Sequence, residues 1–567
     1  MKRLRHLFAA LSLAVLFLTL YCASAANAQS ARTTGRPKPK LLLVIVLDQF
    51  RAEYLTRYAP HFVEGGFKYL MRNGANLTNA HYSHATTYTG PGHALILSGS
   101  YGHTSGIIGN RWFNRAANRV ESMFFDPDAQ ILGVQASPKD DDTSPRNFIG
   151  TNLCDQLLLS NNFRSKVVAI SNKDRAAIML AGKLGKAYWY HEGAGGMTTS
   201  THYMRELPAY MKAFNARKIP DSYYGKTWNQ LLPPTAYSVS RPDNFAHETD
   251  VPGLGRAFPH TLTDASGKPT AAYYESFTAT PWANDYQLDL ARLVIDAEQL
   301  GADNDTDVLG ISITATDIAG HAFGPDSLEV QDMIVRLDRQ LAGFFRDLNR
   351  RFKPGEVSIV LTSDHGACPI PEYMASIDVE ASRIKKKQLS DAINAALDAR
   401  YGAPAGDAKW ILALEDPGIF LNRDLLATRK LDAAEVERVV GEAAVSVKGV
   451  TEYFTRSQIM NGQMPPSRWS GFFEKAFYPS RSGDVLLMTQ PYYFWGTYGE
   501  RETGSTHGSP YEYDTHVPLI LMGHGVRPGT YSSTVDISDL APTLAGLLGI
   551  SSPAGNEGRR LTEILAP

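Results

Sequence analysis

Three apolar, β-branched runs in this chain end at aspartates, and two of those aspartates come with a histidine. LLLVIVL runs into Asp48. VLGISITAT runs into Asp317, with His321 four residues on, and VSIVLTS runs into Asp364, with His365 next. Runs of this length read as buried parallel strands, and an open α/β sheet binds ligands beyond the carboxyl ends of its strands. Three carboxylates and two imidazoles are therefore expected at one sheet edge. Their oxygens and nitrogens suit Zn2+ or a similar ion, and they exceed what one tetrahedral ion needs, which points to a two-metal site.

A second candidate is Thr89-Gly90-Pro91-Gly92, followed by an apolar run. This is the pattern of a helix start. Pro91 suits the first turn, where its missing N–H costs nothing, and free amides with the helix dipole favour an anion there. Read alone, Thr89 is a helix cap more readily than a nucleophile. The loop is no Walker A motif, because no Gly-Lys-Ser/Thr follows. The glycines at 193–196 and 523–529 are too sparse for nucleotide fingerprints.

The elements that must position these residues follow from the pattern around them. Strands are expected at 41–47, 167–171, 308–316, 357–363, 484–488 and 517–522. Over 328–352, Met333, Leu337, Leu341, Phe344 and Leu348 fall on one helical face. A further helix is expected from Asp536 to Leu548, opened by an Asp or Ser cap. Strands alternating with helices predict an α/β protein whose mainly parallel sheet is covered on both faces. Residues 185–290, rich in Tyr, Pro, Gly and His, read as a long ordered insertion. Residues 371–480 carry their own strand and helix signals and read as a small αβ cap set between two parts of the core.

The first 28 residues read as an address. Lys2, Arg3 and Arg5 precede an apolar run over 7–20, and Ala26-Asn27-Ala28 offers a small-x-small cleavage site. That is the form of a secretory signal peptide; the apolar run is short for a membrane span. A periplasmic or secreted product is expected, with no stable membrane association after cleavage, and residues 29–567 form the working domain. Loss of three cations moves the formal charge from −2 to about −5, which does not favour nucleic acid or an anionic membrane as partner. Cys22 leaves with the signal, and bulky Tyr21 before it argues against lipidation. Cys154 and Cys368 exclude a disulfide framework and leave one bridge or two buried thiols open.

Asp48, Thr89, Asp317 with His321, Asp364-His365 and the late Thr506-His507-Gly508 stand in the order and rough spacing of the alkaline phosphatase superfamily. Asn110, in Ile107-Ile108-Gly109-Asn110, and the segment Ser171-Asn172-Lys173-Asp174-Arg175 narrow the match. The chain resembles the phosphate-irrepressible alkaline phosphatases of Gram-negative bacteria, of the threonine-nucleophile type, over almost all of its mature length. The resemblance implies a three-layer α/β sandwich with inserted cap segments. It also implies an exported phosphomonoesterase, broad in its small-molecule substrates and working through a phosphothreonine. Two Zn2+ per chain are implied, one on Asp48, Asp364, His365 and the Thr89 oxygen, the other on Asp317, His321 and His507. Thr89 would be the nucleophile, and Asn110, Lys173 and Arg175 would contact the phosphoryl oxygens. Residue chemistry agrees in kind: a threonine hydroxyl is a poor nucleophile until activated, and phosphoryl transfer is mostly positioning plus charge stabilisation. The oligomeric state stays open, monomer included.

Other readings compete. A nucleotide pyrophosphatase or phosphodiesterase of the same superfamily also uses Thr and Asn; Lys173 and Arg175 favour a monoester, whose extra charged oxygen they would meet. A sulfatase needs a modifiable Cys or Ser in Cys/Ser-x-Pro-x-Arg, and Thr89-Gly90-Pro91-Gly92-His93 lacks both that residue and the arginine. An exported metal- or phosphate-binding protein is the non-enzyme alternative; the intact nucleophile position counts against it. His516 competes with His507 as a ligand. His93 and His103 are expected in packing or loops, Cys368 as a buried thiol, and the acidic stretch 303–307 as a solvated loop, since it lacks EF-hand spacing.

Overall fold

Five strands position the site: Leu41–Leu47 (β1), Val167–Ser171 (β2), Asp307–Ile313 (β3), Val357–Thr362 (β4) and His516–Met522 (β5). They belong to a computed structural model that describes residues 38–134 and 143–566; the signal-peptide segment lies outside these. Every residue of β1 is buried, as expected of a strand covered on both faces. Its side chains alternate. Leu41, Leu43, Ile45 and Leu47 enter one hydrophobic core, while Leu42, Val44 and Val46 enter another. A fully buried side chain of this size contributes about 1.5–3 kcal/mol.

β1 lies parallel between β3 and β4. Beyond β3 come β2 and then Lys186–His191, both parallel. The direction reverses at the flanks, where β5 and Gly196–Ser200 run antiparallel to their neighbours. The result is a mixed, mainly parallel eleven-stranded sheet. Thr89–Ser98 (α1) and Asp174–Ala181 (α2) supply Leu95, Ile96, Leu97, Ile178 and Leu180 to the core on one face. Ala315–Phe323 (α3) and Leu328–Arg351 (α4) cover the other. The expected α4 stripe of Met333, Leu337, Leu341, Phe344 and Leu348 is wholly in that core, and Ser327 caps the helix by accepting from Val330 N at 3.2 Å. The fold is therefore the expected three-layer α/β sandwich.

Three local readings need correction. β3 stops at Ile313, so Asp317 does not end a strand. It lies in the first turn of α3, because Ala315, Ala319 and Ala322 allow a helix where Thr314 and Thr316 suggested a strand. Residues 485–489 form a strand, but in a separate four-stranded antiparallel sheet with Ile411–Glu415, Gly418–Leu421 and Val450–Thr455. That sheet packs on helices Lys386–Tyr401 and Ala433–Val445 around its own core. Lastly, Lys186–His191 and Gly196–Ser200, within the stretch read as an insertion, are strands of the central sheet.

Cys154 and Cys368 are free and buried. Among the described residues, no helix is long and apolar enough to cross a membrane.

Candidate active site

The register of the sheet brings the acids together. Val46 of β1 faces Thr362 of β4, so Asp48 and Asp364 leave two adjacent strands at one level. Leu47 faces Ile313 of β3, and the chain turns there into α3, which carries Asp317 and, one turn later, His321. Lys173 follows the end of β2 by two residues, and Arg175 stands in the first turn of α2. Thr89 is the first residue of α1, with Tyr88 rather than Thr89 at the cap position. His507 arrives on the loop before β5. Asp48, Asp364 and His365 are 0% exposed.

Among the described residues, two sets of side chains could each hold a metal ion: Asp317 with His321 and His507, and Asp48 with Asp317 and His365. Within each set the ligand atoms lie within 4.8 Å of one another. Asp364 adjoins the second set, its Oδ2 3.3 Å from His365 Nε2. The histidines share one arrangement. His321, His365 and His507 place Nδ1 at 2.8, 2.9 and 2.7 Å from the carbonyls of Ser505, Gly366 and Thr87. Each Nδ1–H donating there leaves Nε2 with a lone pair turned toward the carboxylates, which is how a protein orients metal-binding imidazoles.

The electrostatics also call for cations. Three buried carboxylates face one ammonium, Lys173 Nζ, which lies 2.8 Å from Asp48 Oδ2 and 2.5 Å from Asp317 Oδ2. Asp48 Oδ1 and Asp364 Oδ2 are buried without a hydrogen-bond donor, a costly state unless another group meets them. Burial, reinforced by Asp317 and Asp364, pushes the Asp48 carboxyl well above its usual range. Burial pushes Asp317 the same way, but His321 and Lys173 outweigh it and hold that carboxyl well below. Burial holds His365 and His507 below their ordinary value, hence neutral and able to ligate. Lys173 remains charged: burial opposes it, and Asp317 and Asp48 more than compensate. The donor set and its charge deficit fit divalent metal ions.

Thr89 Oγ1 lies against this cluster, 3.4 Å from His365 Nε2 and 3.5 Å from Lys173 Nζ. Asn110 accepts from Gly90 N at 2.7 Å through Oδ1, which leaves its amide hydrogens for another partner. A cleft of about 150 Å3 opens beside them. Thr89, Asn110, His321 and His507 lie on its floor and Arg175 in its wall; Arg111, Lys386, Glu415, Asp416 and residues 495–498 complete the lining as its roof. Lys173 and Arg175 separate here, Lys173 among the acids and Arg175 in the cleft wall, with its Nε buried and unpartnered.

Of the competing residues, His516 stays outside, with Nε2 3.0 Å from Thr78 O and its ring on His81. His93 packs beneath Thr89, its Nδ1 2.9 Å from Thr89 O, and His103 pairs with Glu557 on the surface. Asp305 pairs with Arg164, and Asp307 accepts from Lys166 N and Gly301 N.

Two residues with no sequence signal complete the site. Gln49 donates from Nε2 to Asp317 Oδ1 at 3.0 Å and from its backbone to Asp364 Oδ1 at 3.2 Å. It does so at φ 61°, an unusual conformation for a side-chain-bearing residue that favours functional sites. Tyr498 stacks on His321, centroids 4.7 Å apart and planes at 12°. A glutamine after a strand and a tyrosine in a Tyr-rich segment are both too common to stand out.

Comparison with known proteins gives one consistent picture. The type I phosphodiesterase / nucleotide pyrophosphatase family matches residues 42–510. Alkaline phosphatase PhoV of Synechococcus elongatus is 32% identical over 565 residues, 98% of each chain. Alkaline phosphatase PafA of Elizabethkingia meningoseptica is 33% identical over 94% of this chain and 96% of its own. The crystal structure of wild-type PafA superposes with a TM-score of 0.86, at 32% identity, over 94% of this chain and 100% of that one. A PafA variant structure, substituted at a threonine, an asparagine, a lysine and an arginine, superposes equally well.

Proposed function

The chain belongs to the type I phosphodiesterase / nucleotide pyrophosphatase family and, with its alkaline phosphatase relatives, is a phosphoric monoester hydrolase; we propose that it is an exported, zinc-dependent phosphatase, broad in substrate, working through a phosphothreonine at Thr89. The observation that carries the reading is Thr89 Oγ1, set beside His365 and Lys173 at the edge of a buried, cation-demanding cluster. The four residue types substituted together in the PafA variant stand in the order, and nearly the spacing, of Thr89, Asn110, Lys173 and Arg175. Export rests on the signal pattern of residues 1–28.

Asp48, Asp364, His365 and the Thr89 oxygen would hold one Zn2+, and Asp317, His321 and His507 the other. When bound, such ions lower the pKa of an adjoining hydroxyl and offset charge on attacking and leaving oxygens. The chain's own residues do the rest. Thr89 Oγ forms a bond to phosphorus as the ester P–O bond breaks, and the alcohol departs with a proton. A water oxygen then attacks the same phosphorus, the Thr89 Oγ–P bond breaks, and inorganic phosphate leaves. Asn110, its oxygen held by Gly90 N, presents N–H donors to the phosphoryl group. Arg175 offers its planar fork to the same oxygens from the cleft wall. Lys173 offsets part of the acidic charge that would repel a dianion.

The family's description favours one rival, a nucleotide pyrophosphatase or phosphodiesterase. The test is kcat/KM for an aryl phosphate monoester and the matching diester on zinc-loaded protein, before and after Lys173→Ala plus Arg175→Ala. The double variant is expected to lose about a hundredfold more monoesterase than diesterase activity, the Arg175 contact and the charge offset by Lys173 being worth about 3 kcal/mol together. Equal losses on both substrates would favour the rival.

A further inference from the structure

The roof of the cleft holds charges that the reaction at Thr89 does not use. Arg111 opens a short hairpin strand, one residue after Asn110. Lys386 is the first residue of the helix Lys386–Tyr401. Glu415 ends the strand Ile411–Glu415. Three separate elements thus converge on the cleft that holds Thr89 and Arg175. Glu415 sits between the two cations at long range, 3.8 Å from Arg111 Nε and 3.7 Å from Lys386 Nζ. Among the described residues neither cation's side chain makes a hydrogen bond, so their donors are free; Glu415 is the carboxylate between them, and burial holds the neighbouring Asp416 carboxyl up to about 7, so at neutral pH the group keeps a net positive charge. Arg111 and Lys386 keep 60% and 30% of their side-chain surface exposed, so both can reach a molecule entering the cleft.

We propose that Arg111 and Lys386 form a subsite for a second anionic group, carboxylate or phosphate, carried on the alcohol portion of a phosphate monoester, with Glu415 occupying the two cations until that group arrives. The subsite rests on the monoesterase reading above and specifies its substrate class: monoesters with a leaving group that is itself anionic. The departing alcohol must lie on the cleft side of the phosphorus, since the buried acids and Lys173 occupy the other. A second anion there meets two free donors sets and displaces one loosely held carboxylate. Glu415 acts as an internal competitor, so removing its charge strengthens the subsite instead of weakening it.

The experiment compares three substrates on zinc-loaded full-length mature protein: phenyl phosphate, its para-carboxylate derivative, and a small alkyl bisphosphate. The readout is the ratio of kcat/KM for each substrate carrying the second anionic group to that for phenyl phosphate. Lys386→Ala and Arg111→Ala are each expected to lower both ratios about 1.5-fold to fivefold, the range for a partly exposed ion pair. Glu415→Gln should raise both ratios, and added salt should shrink all the differences. A fall with the bisphosphate alone assigns the subsite to phosphate, and a fall with the carboxylate alone assigns it to carboxylate. Unchanged ratios in the lysine and arginine variants, or a fall in Glu415→Gln, would overturn the proposal. Failure of the wild-type protein to hydrolyse phenyl phosphate would instead count against the monoesterase reading.

Discussion

The floor and the roof of one cleft are built on opposite plans. The floor comes from the sheet edge: its acids are buried, each histidine is pinned by a backbone carbonyl, and Gln49 ties Asp317 to Asp364. The roof comes from the hairpin after Asn110, the inserted sheet with its helix and the segment after it, and Arg111 and Lys386 meet Glu415 at 3.7–3.8 Å without hydrogen bonds among the described residues. Rigid, desolvated groups suit chemistry, where a small misplacement is expensive. Loosely held, solvated groups suit recognition of varied molecules. The difference agrees with the two proposals, that the sheet edge carries the reaction and that the roof selects what enters, and it can be broken or sharpened by substitution on each side.

The largest effect is expected at Asp317, the one residue common to both candidate metal sets. Asp317→Asn removes a charge that both sets use and leaves Lys173 with a single acidic partner. Activity is expected to fall about a thousandfold or more, and zinc measured by atomic absorption should drop from two ions per chain. Lys386→Ala, in the roof, should leave zinc content unchanged. If the roof substitution also lost zinc, the division between floor and roof would fail.

Much of the floor is legible in the sequence, because a buried parallel strand is a dense local signal and a polar residue at its end stands out. Asp48, Asp364 and His365 are found that way. Asp317 is found for a partly mistaken reason: β-branched Thr314 and Thr316 extend the apparent strand, whereas the chain has already turned into α3. The four-residue spacing to His321 fits the helix instead, since it places both on one helical face. The roof is nearly silent. Arg111, Lys386 and Glu415 are ordinary surface charges until three distant segments meet, and no spacing rule joins them. Likewise 485–489 is a clear strand whose choice of sheet depends on pairing partners far away in the chain.

A smaller effect should come from Tyr498, where roof and floor touch. Its ring covers His321, and Arg501 in turn lies 4.6 Å above it. Such a stack is worth about 0.5–1.5 kcal/mol. Tyr498→Ala is therefore expected to weaken zinc retention against a chelator, and kcat, by about threefold to tenfold, whereas Tyr498→Phe should keep both. Loss of kcat with unchanged zinc retention would mean that the ring serves the substrate and leaves His321 alone, making the floor independent of the roof.

The smallest effect separates the two regions by pH. Burial raises the Asp416 carboxyl in the roof to about 7, from an ordinary 3.8, against the opposing influence of Tyr88 and Lys386. The folded protein therefore holds this proton more tightly than the unfolded chain does. Its contribution to stability is full below pH 4, is lost as pH climbs toward 7, and stays lost above that. Asp317 in the floor works in reverse: its depressed carboxyl contributes above pH 4, and that contribution is lost as pH falls below it. In metal-free protein, Asp416→Asn mimics the protonated acid, so its Tm should gain on that of the wild type between pH 4 and 7 and hold level beyond. Asp416 keeps some exposure to the cleft, which trims the gain to about 1–2 kcal/mol, a few degrees at most. A Tm difference that shrank over the same interval would place Asp416 with the floor's ionised acids and remove the electrostatic part of the contrast.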